Sequence, residues 1–132
     1  MAAAVDSKRS ILVVEDDVPA GRTLAQLLRE DGYSVEVILD GEAAIARLSQ
    51  APAPDVLLVD YRLPRASGLE VVDAGRRLYP GLPVVMVTSY PEVIARLDRR
   101  AGVPTVILSK PLVYADLTRE LEQMGCGPPV GP

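Results

Sequence analysis

The stretch LLVDYRLP, residues 57–64, decides how the rest of the chain is read. Leu57, Leu58 and Val59 form a continuous apolar run, the mark of a strand buried on both faces, and they lead straight into Asp60. A buried carboxylate is costly unless donors or a cation face it. Asp60 therefore either opens a turn ahead of Pro64 or is held at a strand end for chemistry.

Outward from this stretch the same kind of run recurs. ILVV (11–14), VLLV (56–59), VVMV (84–87) and VIL (106–108) are short, β-branched and bounded by polar, Pro or Gly residues. They predict buried parallel strands. SVEVIL (34–39) alternates and suits an edge strand. Between the runs the spacing is helical. Leu24, Leu27 and Leu28 follow Pro19, which suits a first helical position, and Gly32 suits the end. Residues 42–50 carry Ala43, Ala44, Ile45 and Leu48. Ser67 with Glu70 reads as a capping box for a helix ending before Pro80, in which Gly75 costs roughly 1 kcal/mol relative to Ala. Residues 92–100 and 113–124 complete the pattern. The strict alternation predicts an α/β fold: a five-stranded parallel sheet of order 2-1-3-4-5, a flavodoxin-like (βα)5 three-layer sandwich. The expected organisation is a flexible N-terminus over 1–9, one domain over 10–124, and a flexible tail or truncated linker over 125–132.

Composition narrows the chemistry. The 132 residues contain no histidine, so Ser-His-Asp and Cys-His catalysis and His-ligated zinc are excluded within the chain. The single cysteine, Cys126, excludes an internal disulfide and a Cys₄ site and reads as an inert thiol. A net charge of −4, with no Trp or Phe, argues against direct nucleic-acid binding. No apolar stretch approaches the roughly 18 residues of a membrane span, and MAAAVDSKRS lacks the form of a signal peptide. The expected location is cytoplasmic.

In such a fold, ligands bind beyond the carboxyl ends of the strands where strand order reverses. The first strand leads into Glu15, Asp16 and Asp17, the third into Asp60, the fourth into Thr88 and Ser89, and the fifth into Ser109, Lys110 and Pro111. Crowded carboxylates repel unless protonated or bound to a cation, and a hard divalent ion such as Mg²⁺ suits oxygen ligands. A carboxylate beside Mg²⁺ and an ammonium can attack phosphorus. Each part also has a plain structural reading: Asp16 or Asp17 as a helix cap, Thr88 and Ser89 as loop hydroxyls, Lys110 as a surface lysine. Their joint placement at four strand ends favours a phosphoryl-accepting site.

With ILVVEDD (11–17), LLVDYRLPRASG (57–68), VVMVTS (84–89) and SKP (109–111) in register, the sequence resembles the receiver domain of bacterial two-component response regulators. The resemblance implies Asp60 as phosphoacceptor. It implies Mg²⁺ held by Asp16 directly, by Glu15 through water, by Asp60, and by the backbone carbonyl of Arg62. It places Thr88 as the switch hydroxyl, Ser89 as the small residue whose N–H meets the phosphoryl group, and Lys110 as its cationic partner. A cis bond is implied before Pro111, and Pro64 and Gly68 match the loop after the acceptor. Asp17 reads as a helix cap.

There are departures. The switch-aromatic position is Ile107, and Leu112 stands where Phe is common. Arg62 and Tyr90, each two residues past a site residue, are large and are expected to modulate dephosphorylation. The implied function is a phosphorylation-controlled interaction switch, not an enzyme with separate substrate turnover, though it catalyses its own phosphorylation and slow dephosphorylation. The donor is an external histidine kinase or phosphotransfer protein, docking beside the first helix. A downstream protein partner reads the face formed by helix 92–100, the fifth strand and helix 113–124, with a homodimer left open. A phosphate-independent interaction module is the alternative. A Mg²⁺-dependent phosphatase is disfavoured because Arg62 stands where such enzymes place a second acid. Whether the chain is a stand-alone regulator or a receiver excised from a longer protein is also left open.

Overall fold

A computed structural model describes residues 8–92 and 105–129. The elements are β1 (Ser10–Val14), α1 (Val18–Glu30), β2 (Ser34–Ile38), α2 (Gly41–Leu48), β3 (Val56–Asp60), α3 (Gly68–Leu78), β4 (Val84–Thr88), β5 (Thr105–Ser109) and α4 (Tyr114–Gln123). The expected helix over 92–100 lies almost wholly outside the described residues, so four helices are described. The five strands are parallel, in the order β2-β1-β3-β4-β5. The order reverses between β1 and β3, so the ends of these two strands bound the crevice.

Alternate residues of each central strand feed opposite faces. Leu12, Val14, Leu57, Val59, Val84 and Met86 pack with Ala44 and Leu48 of α2 and Val71 and Val72 of α3. Ile11, Val13, Val56, Leu58, Val85 and Val87 pack with Leu28 of α1 and Leu117 and Leu121 of α4. This two-sided burial is why the strands read as unbroken apolar runs. The expected edge strand is β2, where only one side of the ladder is occupied.

Caps fix the helix starts. Asp17 accepts from Ala20 N at 3.1 Å, Asp40 from Ala43 N at 2.7 Å, and Ser67 from Glu70 N at 3.2 Å. Each satisfies a donor that the first helical turn leaves free. Ser67 Oγ also lies 3.5 Å from Glu70 Oε1, so the pair at the start of α3 interacts both ways. The Asp40 cap starts α2 one residue earlier than the spacing suggested, and the helix stops at Leu48. Gly32, at φ +103°, follows α1 in the left-handed conformation that favours glycine. Gly75 has a packing reason: a Cβ there would stand 2.9 Å from Leu82 Cδ2.

Within residues 125–129, part of the stretch read from the sequence as a flexible tail, Cys126 packs against the core. Cys126 is buried, its carbonyl accepts from Tyr33 Oη at 2.7 Å, and the Gly125 carbonyl accepts from the Arg9 guanidinium. The reason is that Tyr33, buried beneath this segment, needs an acceptor for its hydroxyl. Composition rich in Gly and Pro does not show that demand.

Candidate functional site

Asp60 ends β3 and is 7% exposed, and Thr88 ends β4 at 2%. Register places them together: Asp60 pairs with Val87, and Tyr61 N donates to Val87 O at 3.0 Å. Lys110 follows β5, and its N–H donates to Thr88 O at 2.9 Å, which ties that loop to β4. Its ammonium reaches back over the sheet end, with Nζ 2.5 Å from Asp60 Oδ2 and 4.0 Å from Glu15 Oε1. Glu15 follows β1, whose last residues pair with β3.

Three carboxylates thus meet one ammonium. Glu15, Asp16 and Asp60 each offer an oxygen within 4.8 Å of the others. Asp60 is compensated by Lys110. Glu15 meets the same ammonium only at 4.0 Å through Oε1, and its Oε2 is buried with no donor facing it. Burial first, then the hydrogen bond and charge of Asp60, push the Glu15 carboxyl up to about 7, with Lys110 pulling the other way. For the Lys110 ammonium, burial acts downward, but Asp60, Glu15 and Asp16 outweigh it and the net shift is upward. An acceptor that lacks a donor, beside two further carboxylates, is the environment a hard divalent cation satisfies. The three side chains fit Mg²⁺.

Of the sequence-predicted residues, the structure brings Glu15, Asp16, Asp60, Thr88 and Lys110 to one rim. Thr88 Oγ1 accepts from Tyr90 N at 3.0 Å, a local bond that leaves its own proton uncommitted there. Ser89 and Arg62 border a recess of about 150 Å³ with Asp60, Thr88, Tyr90 and Lys110. The Arg62 guanidinium lies 5.9 Å from the centroid of the Tyr90 ring, so the two large residues meet across the recess. The Lys110–Pro111 bond is cis. Ile107 is half-buried and pairs with Met86, packed toward the α2–α3 face. Asp17 caps α1.

Sequence reasoning placed Gly68 in the loop after Asp60 but missed what it touches there, and it missed Gly41, Arg65 and Gly21. A Cβ on Gly68 would fall 2.4 Å from Asp60 O, and Gly68 N donates to Tyr61 O at 2.8 Å. The close turn that starts α3 beside Asp60 thus requires glycine. A Cβ on Gly41 would fall 2.1 Å from Ala66 O, locking the 61–67 loop against α2. Within that loop Arg65 has φ +73°. Gly21 would bring a Cβ within 3.7 Å of Glu15 Cγ. Nothing local marks these contacts, because they join segments distant in sequence.

Comparison with known proteins agrees with this geometry. The family model described as the response regulator receiver domain matches residues 11–122. The chain is 32% identical over 116 residues to the response regulator receiver protein CpdR of Brucella abortus, covering 88% of this chain and 96% of that protein. It is 41% identical over 80 residues to the sensory transduction protein RegX3 of Mycobacterium tuberculosis, covering 61% of this chain and 34% of that longer protein. Among solved structures, a CheY-like receiver domain protein from Methanospirillum hungatei superposes with a TM-score of 0.80 at 27% identity, covering 89% of this chain and 94% of that one. The chemotaxis response regulator CheY4 of Vibrio cholerae gives 0.78 at 27%, covering 89% and 98%.

Proposed function

Because the chain belongs to the response regulator receiver family, we propose that Asp60 is its phosphoacceptor and that a phosphohistidine on an external kinase or phosphotransfer protein is the donor. One carboxylate oxygen of Asp60 attacks phosphorus as the P–N bond to the donor imidazole breaks, giving an acyl phosphate. The observation that carries this reading is the Lys110 ammonium at 2.5 Å from Asp60 Oδ2, beside carboxylates with an unmet need for a cation. Asp16, Asp60 and the Arg62 carbonyl hold Mg²⁺, with Glu15 beside it. The ion supplies positive charge for the phosphoryl oxygens.

Lys110 follows the phosphoryl group from one oxygen to the next, as a point charge on a flexible stem can. The Thr88 hydroxyl donates to a phosphoryl oxygen and gives up its bond from Tyr90 N. The Ser89 N–H faces the same group. Ile107 has no ring to rotate, so the change passes through the loop joined by the Lys110 N to Thr88 O bond to β5 and α4. A downstream protein that prefers one form by a modest factor then shifts the population. The Arg62–Tyr90 pair shields the phosphoryl group from water and slows its hydrolysis.

Incubation with Mg²⁺ and acetyl phosphate, read by intact mass, tests the assignment. The expected result is addition of one phosphoryl group and its loss in Asp60→Asn. Undiminished uptake in Asp60→Asn overturns the assignment.

A further inference from the structure

The loop of residues 61–67, between the acceptor strand and α3, contains a strained turn. Ala66 N donates to Pro64 O at 2.9 Å, and Arg65 between them has φ +73°. A three-residue turn closed around a positive φ is the rare, strained kind of γ-turn, and a residue with a Cβ makes it costlier. Among the described residues no other non-glycine has a positive φ. Such a conformation persists only where its surroundings impose it.

Two glycines impose it here. At one end Gly68 N donates to Tyr61 O at 2.8 Å, and a Cβ on Gly68 would fall 2.4 Å from Asp60 O. At the other, Gly41 N donates to Pro64 O at 3.1 Å, and a Cβ on Gly41 would fall 2.1 Å from Ala66 O. Pro64 O therefore accepts twice, once within the strained turn and once from the first residue of α2. The Asp40 side chain caps Ala43 N at 2.7 Å, so the Gly41 N–H depends on the loop rather than on the cap. Gly41 and Ala66 are both buried, which leaves water poorly placed to replace the lost acceptor.

We propose that this loop is a strained strap by which a change at Asp60 reaches the start of α2. Relaxation of the turn at Arg65 withdraws Pro64 O from Gly41 N and loosens the first turn of that helix. The trigger rests on the acceptor reading above, because Mg²⁺ at the Arg62 carbonyl and a phosphoryl group on Asp60 both act where the loop leaves β3. The strap itself does not rest on it. This route is separate from the one through Lys110 N, Thr88 O and β5.

Amide hydrogen exchange followed by NMR tests the strap in wild type, Arg65→Gly and Arg65→Ala. Both variants lack the guanidinium, but only glycine takes a positive φ without strain. Removing the strain favours the closed loop, so in the ligand-free protein the Gly41 N–H should exchange about fivefold slower in Arg65→Gly than in Arg65→Ala. The Ala43 N–H, held by Asp40, should exchange alike in both. Mg²⁺ with beryllofluoride, a stand-in for the phosphoryl group, should speed Gly41 exchange in wild type and Arg65→Ala, and less in Arg65→Gly. Equal Gly41 exchange in the two ligand-free variants overturns the strap. Shifts at Thr88 and Lys110 on loading, with Gly41 unchanged, overturn the coupling and leave the acceptor assignment standing. Loading that moves neither Thr88 nor Lys110 overturns the trigger together with that assignment, while the ligand-free comparison still decides the strap.

Discussion

Strands β3 and β5 each deliver one partner of the same ion pair, and they hold it in opposite ways. Every residue of β3 is buried, and Asp60 at its end is 7% exposed. In β5 four residues are half-buried and the fifth exposed, and the Lys110 side chain after it is 37% exposed. β3 has strands on both sides, whereas β5 ends the sheet. The acceptor is thus anchored, and the cation that serves it sits on the looser margin. In the proposed switch, Asp60 would keep its position while the Lys110 ammonium follows the transferred group.

Core truncation should expose the difference most strongly. Leu57→Ala in β3 removes a side chain with no solvent exposure and is expected to cost roughly 2–5 kcal/mol. Ile107→Ala in β5 should cost about 1 kcal/mol, in proportion to the smaller area it buries. Denaturant unfolding of both variants measures the two values, and equal losses would erase the contrast.

Next in size is the close turn beneath the acceptor. Gly68→Ala drives a methyl group into the Asp60 carbonyl, so the loop must move. Both stability and phosphorylation by acetyl phosphate should fall, whereas Gly81→Ala, with open space around it, should leave phosphorylation unchanged.

Lys110→Met tests the mobile half of the pair. It preserves the stem and removes the charge, so phosphorylation should slow by about tenfold or more while the unfolding midpoint moves little. A large loss of stability with an unchanged rate would make Lys110 a structural residue.

A smaller effect follows from Glu15. Its carboxyl titrates near 7 in the fold against an ordinary 4.5, so the folded chain holds an extra proton between those values. Metal-free stability should therefore decrease as pH rises from about 4.5 to 7. Mg²⁺ affinity should run the other way, improving by up to about tenfold between pH 6 and 8 as the proton leaves. Glu15→Gln should flatten both profiles, as followed by thermal unfolding and by Mg²⁺ titration.

The smallest expected change is in phospho-Asp lifetime. Removing the pair that spans the recess, in Arg62→Ala with Tyr90→Ala, should shorten the lifetime a few-fold. Unchanged decay of the phosphorylated protein would remove any shielding role.

The fold was legible in the sequence because burial on both faces imposes unbroken apolar runs, and the runs alternate with helical spacing. The caps Asp17 and Ser67 were legible because capping acts over three residues. Glu15, Asp16, Asp60, Thr88 and Lys110 were legible because a parallel sheet brings every strand's carboxyl end to one rim. Tertiary structure alone decided the rest. It buried Glu15 Oε2 without a donor, seated Gly68 against the Asp60 carbonyl, laid Arg62 near the Tyr90 ring, and folded Cys126 back over Tyr33. Each joins segments whose separation in sequence carries no periodic signal. Local pattern records which face a residue presents; only packing determines what meets it there.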